Sequence, residues 1–137
     1  MGFSSVAGTV IMVISLLIVG AYLYTTIDSS YSILYKNYEA YQKHLENKIN
    51  EKLVITKVSS SATQTNITIY NNGSVVVEPH KFTVLFDGTI VPPQNISYSP
   101  DVPYLLPLES ITLIVNWTQP TRICIVSNYG NKYFATT

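Results

Sequence analysis

Few residues of this 137-residue chain could do acid–base, nucleophilic or metal chemistry. Its two histidines, His44 and His80, form neither an H-x-x-x-H nor an H-x-H pair, the spacings at which two imidazoles on one element ligate a metal. Two partly exposed histidines without a shared role are expected instead. The sequence therefore predicts no metal site and no cofactor.

The single cysteine, Cys124, lies in the apolar run Arg122-Ile123-Cys124-Ile125-Val126. A nucleophilic thiolate needs a basic and accessible neighbourhood, whereas this run predicts a small buried hydrophobe, with Arg122 on the opposite face of the strand. Asp87 and Asp101 are interpreted as turn residues. Because the chain has no phosphate-binding glycine loop, nucleophile elbow or paired-carboxylate motif, a binding or structural protein is favoured over an enzyme.

Charge is sparse and balanced along the chain. Lys and Arg total 8, Asp and Glu total 8, and charged residues make up 12% of the sequence against 47% hydrophobic residues. A net charge of zero supplies no field that would attract nucleic acid or an acidic substrate, so no nucleic-acid partner is expected. Globular domains usually contain ~25% charged residues. This deficit fits a chain that spends part of its length in lipid.

Residues 6–27 form an uninterrupted stretch without charge. As a helix this stretch spans ~33 Å, close to the ~30 Å hydrocarbon core of a bilayer. Tyr22 and Tyr24 lie near its far end, where amphipathic rings favour the interface. The sequence predicts a short flank at residues 1–5 and a single transmembrane helix in contact with lipid at 6–27. A removable signal peptide is disfavoured, because no Lys or Arg precedes the stretch and no A-x-A-like site follows it.

Residues 28–50 contain neither Gly nor Pro and continue the helical pattern as an amphipathic stalk. Apolar residues recur at steps of 4, 3, 4, 3 and 4, which is the a/d spacing of a coiled coil. These residues, here called the heptad seam, are Ile27, Tyr31, Leu34, Tyr38, Tyr41 and Leu45. Tyrosines in place of leucines weaken a coiled coil, so the seam is expected to pack on the chain's own β-domain or on a partner, including a second copy.

In residues 51–137 apolar and polar residues alternate with a period of two, and turn signals occur every 8 to 12 residues. About seven or eight short strands over ~85 residues predict an all-β, immunoglobulin-like sandwich. The expected strand segments are residues 65–70, 74–78, 81–86, 89–91, 110–117, 121–127 and 132–136. Turns are expected at Asn71-Asn72-Gly73, at Asp87-Gly88 and at Asn128–Asn131.

Four Asn-x-Ser/Thr sequons suggest that this domain is translocated across the membrane. They begin at Asn66, Asn72, Asn95 and Asn116. About two are expected by chance in this composition, but strand alternation places Asn66 and Asn116 outward, and Asn72 and Asn95 fall in turns or loops. Lys36 and Lys43 follow the span, and by the positive-inside rule they weakly favour a cytoplasmic C-terminal domain. That rule fails, however, for long translocated domains. We expect N-glycosylation and an extracytoplasmic C-terminal domain.

The arrangement resembles the archaellar accessory protein family FlaF, also called ArlF. The likeness rests on Met-Gly-Phe-Ser at the N-terminus, the apolar span to Ile27, the Tyr-rich stalk, the turn Asn71-Asn72-Gly73-Ser74 and the approach Leu105-Leu106-Pro107-Leu108-Glu109 to the following strand. The resemblance implies a β-sandwich related to that of archaellins, other archaellar motor proteins as partners, attachment to the surface layer (S-layer) or another envelope protein, and a stator role in the archaellum. It brings no catalytic residues.

Two alternatives stay open at this point. An archaeal type IV pilin-like subunit, including archaellin itself, shares the plan of a helix followed by a β-domain and is cleaved after Gly in a leader with basic residues. Here the candidate site is Gly2-Phe3, and no Lys or Arg precedes it, which favours the accessory protein. A membrane-tethered enzyme or lectin-like module would need a concave site, for which the sequence supplies no residues.

Overall fold

The computed structural model describes residues 2–137. Across these residues it contains one α-helix and eight β-strands. The helix is α1 (Gly2–Asn50), and the strands are β1 (Leu53–Ser60), β2 (Thr65–Asn71), β3 (Thr83–Phe86), β4 (Thr89–Ile90), β5 (Ile96–Ser99), β6 (Ser110–Val115), β7 (Arg122–Val126) and β8 (Lys132–Thr136). Single 3-10 turns occur at Pro79–Lys81 and Pro93–Asn95. The chain divides into two compact units, the second being His44–Thr137.

Helix α1 runs without a break because its sequence has no Pro and keeps its polar groups satisfied internally. Hydroxyl groups of its Ser and Thr residues donate to carbonyl oxygens three or four positions earlier, for example Thr9 to Ser5 at 2.8 Å and Ser15 to Ile11 at 2.8 Å. Such hydrogen bonds satisfy the hydroxyl groups within the helix, so that these groups need no hydrogen bond to water. By length and composition, α1 is long and apolar enough to cross a membrane once.

The eight strands form two four-stranded antiparallel sheets. Their orders are β1-β2-β6-β5 and β4-β3-β7-β8. The predicted class, a long N-terminal helix followed by a β-sandwich, is confirmed. The tight β3–β4 connection has positive φ at both central residues, 51° at Asp87 and 88° at Gly88, which is the primed-turn geometry that matches strand twist.

The core lies between the sheets and follows the alternation in the sequence. Ile67 and Ile69 of β2 face it, as do Ile111, Leu113 and Val115 of β6. The second sheet contributes its inward residues Val84, Phe86, Ile123 and Ile125. Each of these nine side chains is almost completely buried, so burial of apolar surface from both sheets is the main stabilising term for His44–Thr137.

The predicted strand at residues 74–78 is wrong. This segment contains a single isolated bridge, between Val77 and Leu105, and leads into the 3-10 turn at Pro79–Lys81. The physical reason is topological, because the chain here leaves one sheet after β2 and enters the other at β3. The carboxamide of Asn71 stabilises the start of this connection by donating hydrogen bonds to the carbonyls of Val75 at 2.9 Å and Leu105 at 3.2 Å.

Candidate interaction surface

An apolar row crosses the whole outer face of the β4-β3-β7-β8 sheet. Register places Ile90 opposite Leu85, Leu85 opposite Cys124, and Cys124 opposite Phe134. Here these four residues are called the apolar row. Phe134 is 74% exposed and Ile90 is 61% exposed, while Leu85 and Cys124 are half-buried. The row borders a shallow groove of about 410 Å³.

Basic side chains lie on either side of the apolar row. Arg122 is two residues from Cys124 along β7, and Lys132 is two residues from Phe134 along β8, so both share the outer face. Near Arg122, the carboxylate of Asp87 accepts backbone hydrogen bonds from Thr121 at 3.0 Å and Arg122 at 2.8 Å. These two bonds hold the pKa of Asp87 below its usual value. An apolar centre with polar flanks is the composition of a protein-binding surface.

The environment expected for Cys124 was wrong. Its side chain is half-buried on the outer face, not in the core, because Ile123 and Ile125 are the inward residues of β7. Arg122 lies on the same face as Cys124, since residues two apart in a strand point the same way. The thiol therefore belongs to the apolar row.

The outer face of the other sheet has the opposite character. Its central row pairs Lys57 with Thr68, Thr68 with Thr112, and Thr112 with Ser99. The hydroxyls of Thr68 and Thr112 lie 3.2 Å apart, within hydrogen-bond distance. This polar central row has less to gain from apolar contact than the apolar row has, although Val54 and Ile114 also lie on this face. The two outer faces of the sandwich thus differ in what they can bind.

The sequon asparagines are distributed around the sandwich. Asn66 is exposed on the polar outer face, opposite Ser59 and Ile114 in the neighbouring strands. Asn72 is exposed in the turn after β2, and Asn116 is exposed just after β6. Asn95 is half-buried at the end of a 3-10 turn, and its carbonyl accepts a hydrogen bond from the Asn116 amide at 2.8 Å.

The two histidines lie in separate places. His80 pairs with Asp101 at 3.0 Å and its ring contacts that of Tyr98, with centroids 4.5 Å apart. Burial, and then the charge of Asp101, raise the pKa of Tyr98. His44 is on α1 and its ring lies 5.8 Å from that of Tyr129. Within residues 2–137, no group of three or more His, Cys, Asp or Glu side chains could hold a metal ion.

A polar junction joins the last turn of α1 to the sandwich within His44–Thr137. Glu51 is buried, and its carboxylate accepts hydrogen bonds from the hydroxyls of Ser127 at 2.8 Å and Tyr133 at 3.0 Å. The Asn131 carboxamide donates to the Lys48 carbonyl at 2.7 Å. One otherwise unpaired carbonyl at the helix end is thereby satisfied. This junction was not predicted, because nothing in the sequence around Glu51 indicates that its side chain is buried.

The apolar row was also missed. Residues 84–86 and 123–126 are apolar on both faces of their strands. In a sandwich of two layers, one face of each strand has no internal partner. Strands that are apolar on both faces normally belong to sheets covered on both sides. That mismatch is the signal from which an external contact could have been predicted.

Fold and surface together define a class of protein, in which a long apolar helix is followed by a small β-sandwich with one apolar outer face. No family model matches the chain. Flagella-related protein F of Methanocaldococcus jannaschii is 66% identical over 135 residues, covering 98% of this chain and 97% of that protein. Flagella-related protein F of Methanococcus voltae is 31% identical over 134 residues, covering 98% of both chains.

The chain belongs to the flagella-related protein F family, which confirms the FlaF resemblance of the sequence. Neither relative's name refers to an enzymatic activity. Among solved structures, the archaellum periplasmic stator protein FlaG from Sulfolobus acidocaldarius matches with a TM-score of 0.52 and 16% sequence identity, covering 62% of this chain and 99% of that chain. This likeness is one of fold.

Proposed function

We propose that this protein is a non-enzymatic stator component of the archaellum, anchored in the membrane by α1, with its sandwich outside the cytoplasm bound to the surface layer. Membership of the flagella-related protein F family supports the assignment to the archaellum. The stator role and the surface-layer partner rest on the physical arguments that follow.

The observation that carries the proposal is the apolar row from Ile90 to Phe134. Exposed aromatic and aliphatic side chains of this kind, continuous across four strands, are costly to leave in water and mark interaction sites. Aromatic residues are also enriched where single side chains dominate binding energy. With Arg122 and Lys132 as polar flanks, the row suits a contact with an apolar centre and modest salt dependence.

Mechanics explains why a second attachment is needed. A stator must resist torque. Because one helix in a fluid bilayer is free to diffuse and rotate, a membrane anchor alone cannot keep the protein stationary. The stalk expected at residues 28–50 corresponds to ~35 Å of helix beyond the predicted membrane span. A contact between the sandwich and the cell envelope supplies the fixed end.

The polar outer face of the β1-β2-β6-β5 sheet is proposed to carry glycans instead of a protein contact. Asn66 lies on it, and Asn72 and Asn116 are exposed elsewhere, so we infer that glycans occupy these positions. A glycan on the polar face leaves the apolar row free for protein contact. It also directs docking, because a bulky hydrophilic chain blocks close approach on the side that it covers.

The test is a pull-down of the detergent-solubilised full-length protein with isolated surface-layer protein. Phe134→Ser removes the aromatic ring of the apolar row and should weaken binding at least about tenfold. The matched control is Tyr104→Ser, which removes a 58%-exposed aromatic ring outside the row and should leave binding unchanged. Equal binding by all three proteins, or no binding by the wild type, would overturn the proposal. A processed N-terminus and incorporation into filaments would favour the pilin-like alternative.

A further inference from the structure

Strand β8 lies at the edge of its sheet and directs half of its backbone groups away from that sheet. At the turn of its hairpin with β7, the Ser127 amide donates to the Asn131 carbonyl at 2.9 Å. Hydrogen-bonded pairs alternate along an antiparallel ladder, so the backbone groups of Tyr133 and Ala135 also face β7. The alternate residues of β8 therefore point their N–H and C=O groups outward. These residues, here called the open edge, are Lys132, Phe134 and Thr136.

The other three edge strands carry features that hinder pairing with a further strand. Strand β4 is two residues long, and the four-residue β5 runs directly into Pro100. The register of β1 shifts between Ile55 and Lys57, which interrupts its ladder in mid-strand. Short strands, proline and bulges are means by which sheets avoid pairing with other chains. By contrast, β8 keeps an unbroken register with β7 over five residues and contains no proline.

The core is also partly open on the side of the sandwich where β8 lies. Strands β8 and β1 are the end strands of the two sheets on that side. Four of their inward residues are only half-buried, whereas the inward residues of the central strands β2 and β6 are almost completely buried. These four residues are Ile55, Val58, Tyr133 and Ala135. A strand added beside β8 would cover part of their exposed apolar surface.

The open edge also continues the apolar row, and this continuity defines what would fit. Phe134 is the last residue of the row, so the outer face of an added strand would lie directly beside its ring. The opposite face of that strand would lie against the open side of the core. Lys132 is exposed at one end of β8, and neither β8 nor β1 contains Asp or Glu. The matching segment is therefore extended, apolar on both faces and acidic near Lys132.

We propose that β8 receives an extended segment of the surface-layer protein, which adds a fifth strand to the β4-β3-β7-β8 sheet. This inference rests on the proposed binding to the surface layer and specifies how that binding occurs. Backbone hydrogen bonds to the open edge supply affinity, and side-chain contacts beside Phe134 and at the core supply specificity. A slip of the added strand by one residue would turn its side chains to the wrong faces. The attachment therefore resists displacement along the edge.

A proline at the open edge tests the backbone contact separately from the apolar row. Thr136→Pro removes an N–H group that points away from β7, and edge strands accept proline at such positions. Thr136→Ala is the matched control, because it shortens the same side chain and keeps the N–H group. Titration of the detergent-solubilised full-length variants with isolated surface-layer protein measures their affinities. Thr136→Pro should weaken binding at least about tenfold, and Thr136→Ala should bind like wild type.

Hydrogen exchange of the wild-type protein gives a second reading that needs no substitution. In the free protein, the amides of Tyr133 and Ala135 should be protected by β7, whereas those of Lys132, Phe134 and Thr136 should exchange quickly. Addition of surface-layer protein should slow exchange at the open edge. Measurement at the resolution of single residues separates the two alternating sets. If Thr136→Pro does not fold, this measurement decides alone.

Each other outcome overturns the inference. If Phe134→Ser loses binding while a folded Thr136→Pro binds like wild type and the open edge stays unprotected, the apolar row binds through side chains alone. The proposed function would then stand without strand addition. A wild-type protein that does not bind the surface-layer protein would contradict both. Protection of the open edge that depends only on the concentration of this protein would mean that a second copy supplies the added strand.

Discussion

The buried carboxylate of Glu51 accepts a hydrogen bond from the Tyr133 hydroxyl at 3.0 Å, linking the residue just after α1 to the last strand of the sandwich. Ser127 donates to the other carboxylate oxygen at 2.8 Å. A buried carboxylate is costly unless its oxygens are paired, and here each has a hydroxyl partner. This contact therefore attaches the C-terminal end of α1 to the sandwich within His44–Thr137.

Glu51→Ala should lower the free energy of unfolding by ~1–3 kcal/mol, because it leaves the hydroxyls of Ser127 and Tyr133 without their acceptor. Glu46→Ala is the matched control, as Glu46 lies on the same helix and is exposed, and it should change stability little. Denaturant titration followed by tryptophan fluorescence compares the two variants. An unchanged midpoint for Glu51→Ala would mean that the junction contributes nothing to stability.

The same contact predicts a pH dependence. Burial, together with the neighbouring Glu51 charge, raises the pKa of Tyr133 from 10.0 to about 12. Since the folded protein holds this proton more tightly than the unfolded chain, the stabilisation is complete below pH 10 and is lost as the pH rises toward 12. The difference in melting temperature between wild type and Tyr133→Phe should shrink over that range. A difference that is constant with pH would contradict the assignment.

Gly73→Ala tests how closely the turn after β2 approaches the end of α1. An added Cβ at this position would lie 2.6 Å from the Lys52 amide nitrogen and 2.7 Å from the Asn50 carbonyl oxygen, both backbone atoms that cannot move independently. We expect a loss of ~1–3 kcal/mol in unfolding free energy, as for overpacking elsewhere. The neighbouring Ser74→Ala is the control and should be nearly neutral. Equal stability of the two variants would refute the tight approach.

Leu113→Ala should cost ~2–5 kcal/mol through lost burial and the cavity left behind. Leu113 is completely buried at the centre of β6. Ile114→Ala, on the next residue and on the outer face, should cost clearly less because Ile114 is only half-buried. Thermal unfolding of both variants measures the contrast, and similar losses would mean that the core does not lie where the alternation places it.

Glycan occupancy should follow exposure. We expect additional mass at Asn66, Asn72 and Asn116, whose side chains are exposed, and less or none at the half-buried Asn95. Intact-mass measurement of the native protein, followed by peptide mapping, reports each site separately. A native protein without glycans would contradict the proposed glycosylation. It would also weaken the support for an extracytoplasmic β-sandwich.

Much of the fold follows from periodicity. The heptad spacing and the lack of Pro predict the continuation of the helix to Asn50, and the alternation over Ile111, Leu113 and Val115 predicts the inward face of β6. The Asp87-Gly88 turn is predicted because both residues tolerate positive φ. These features depend on neighbours in sequence, which is why sequence alone recovers them.

What the sequence could not supply depends on partners distant in the chain. Residues 74–78 are rich in Val and match a strand, but the chain is changing sheets there and has no ladder to join. Single segments such as residues 123–126 show that an outer face is apolar, but the alignment of four such residues into the apolar row depends on the pairing of four strands. Glu51 is buried by Ser127 and Tyr133, about 80 residues later. Such contacts become visible only once the strand order is known.

The central claim, that the sandwich holds the archaellum to the cell envelope through its apolar row, is tested most directly by swimming. A deletion strain is complemented with wild type, Phe134→Ser or Tyr104→Ser, and membrane levels of the three proteins are matched by immunoblot. We expect wild type and Tyr104→Ser to restore swimming, whereas the strain with Phe134→Ser should assemble filaments but swim as poorly as the deletion strain. Normal swimming with Phe134→Ser, or no defect in the deletion strain itself, would contradict it.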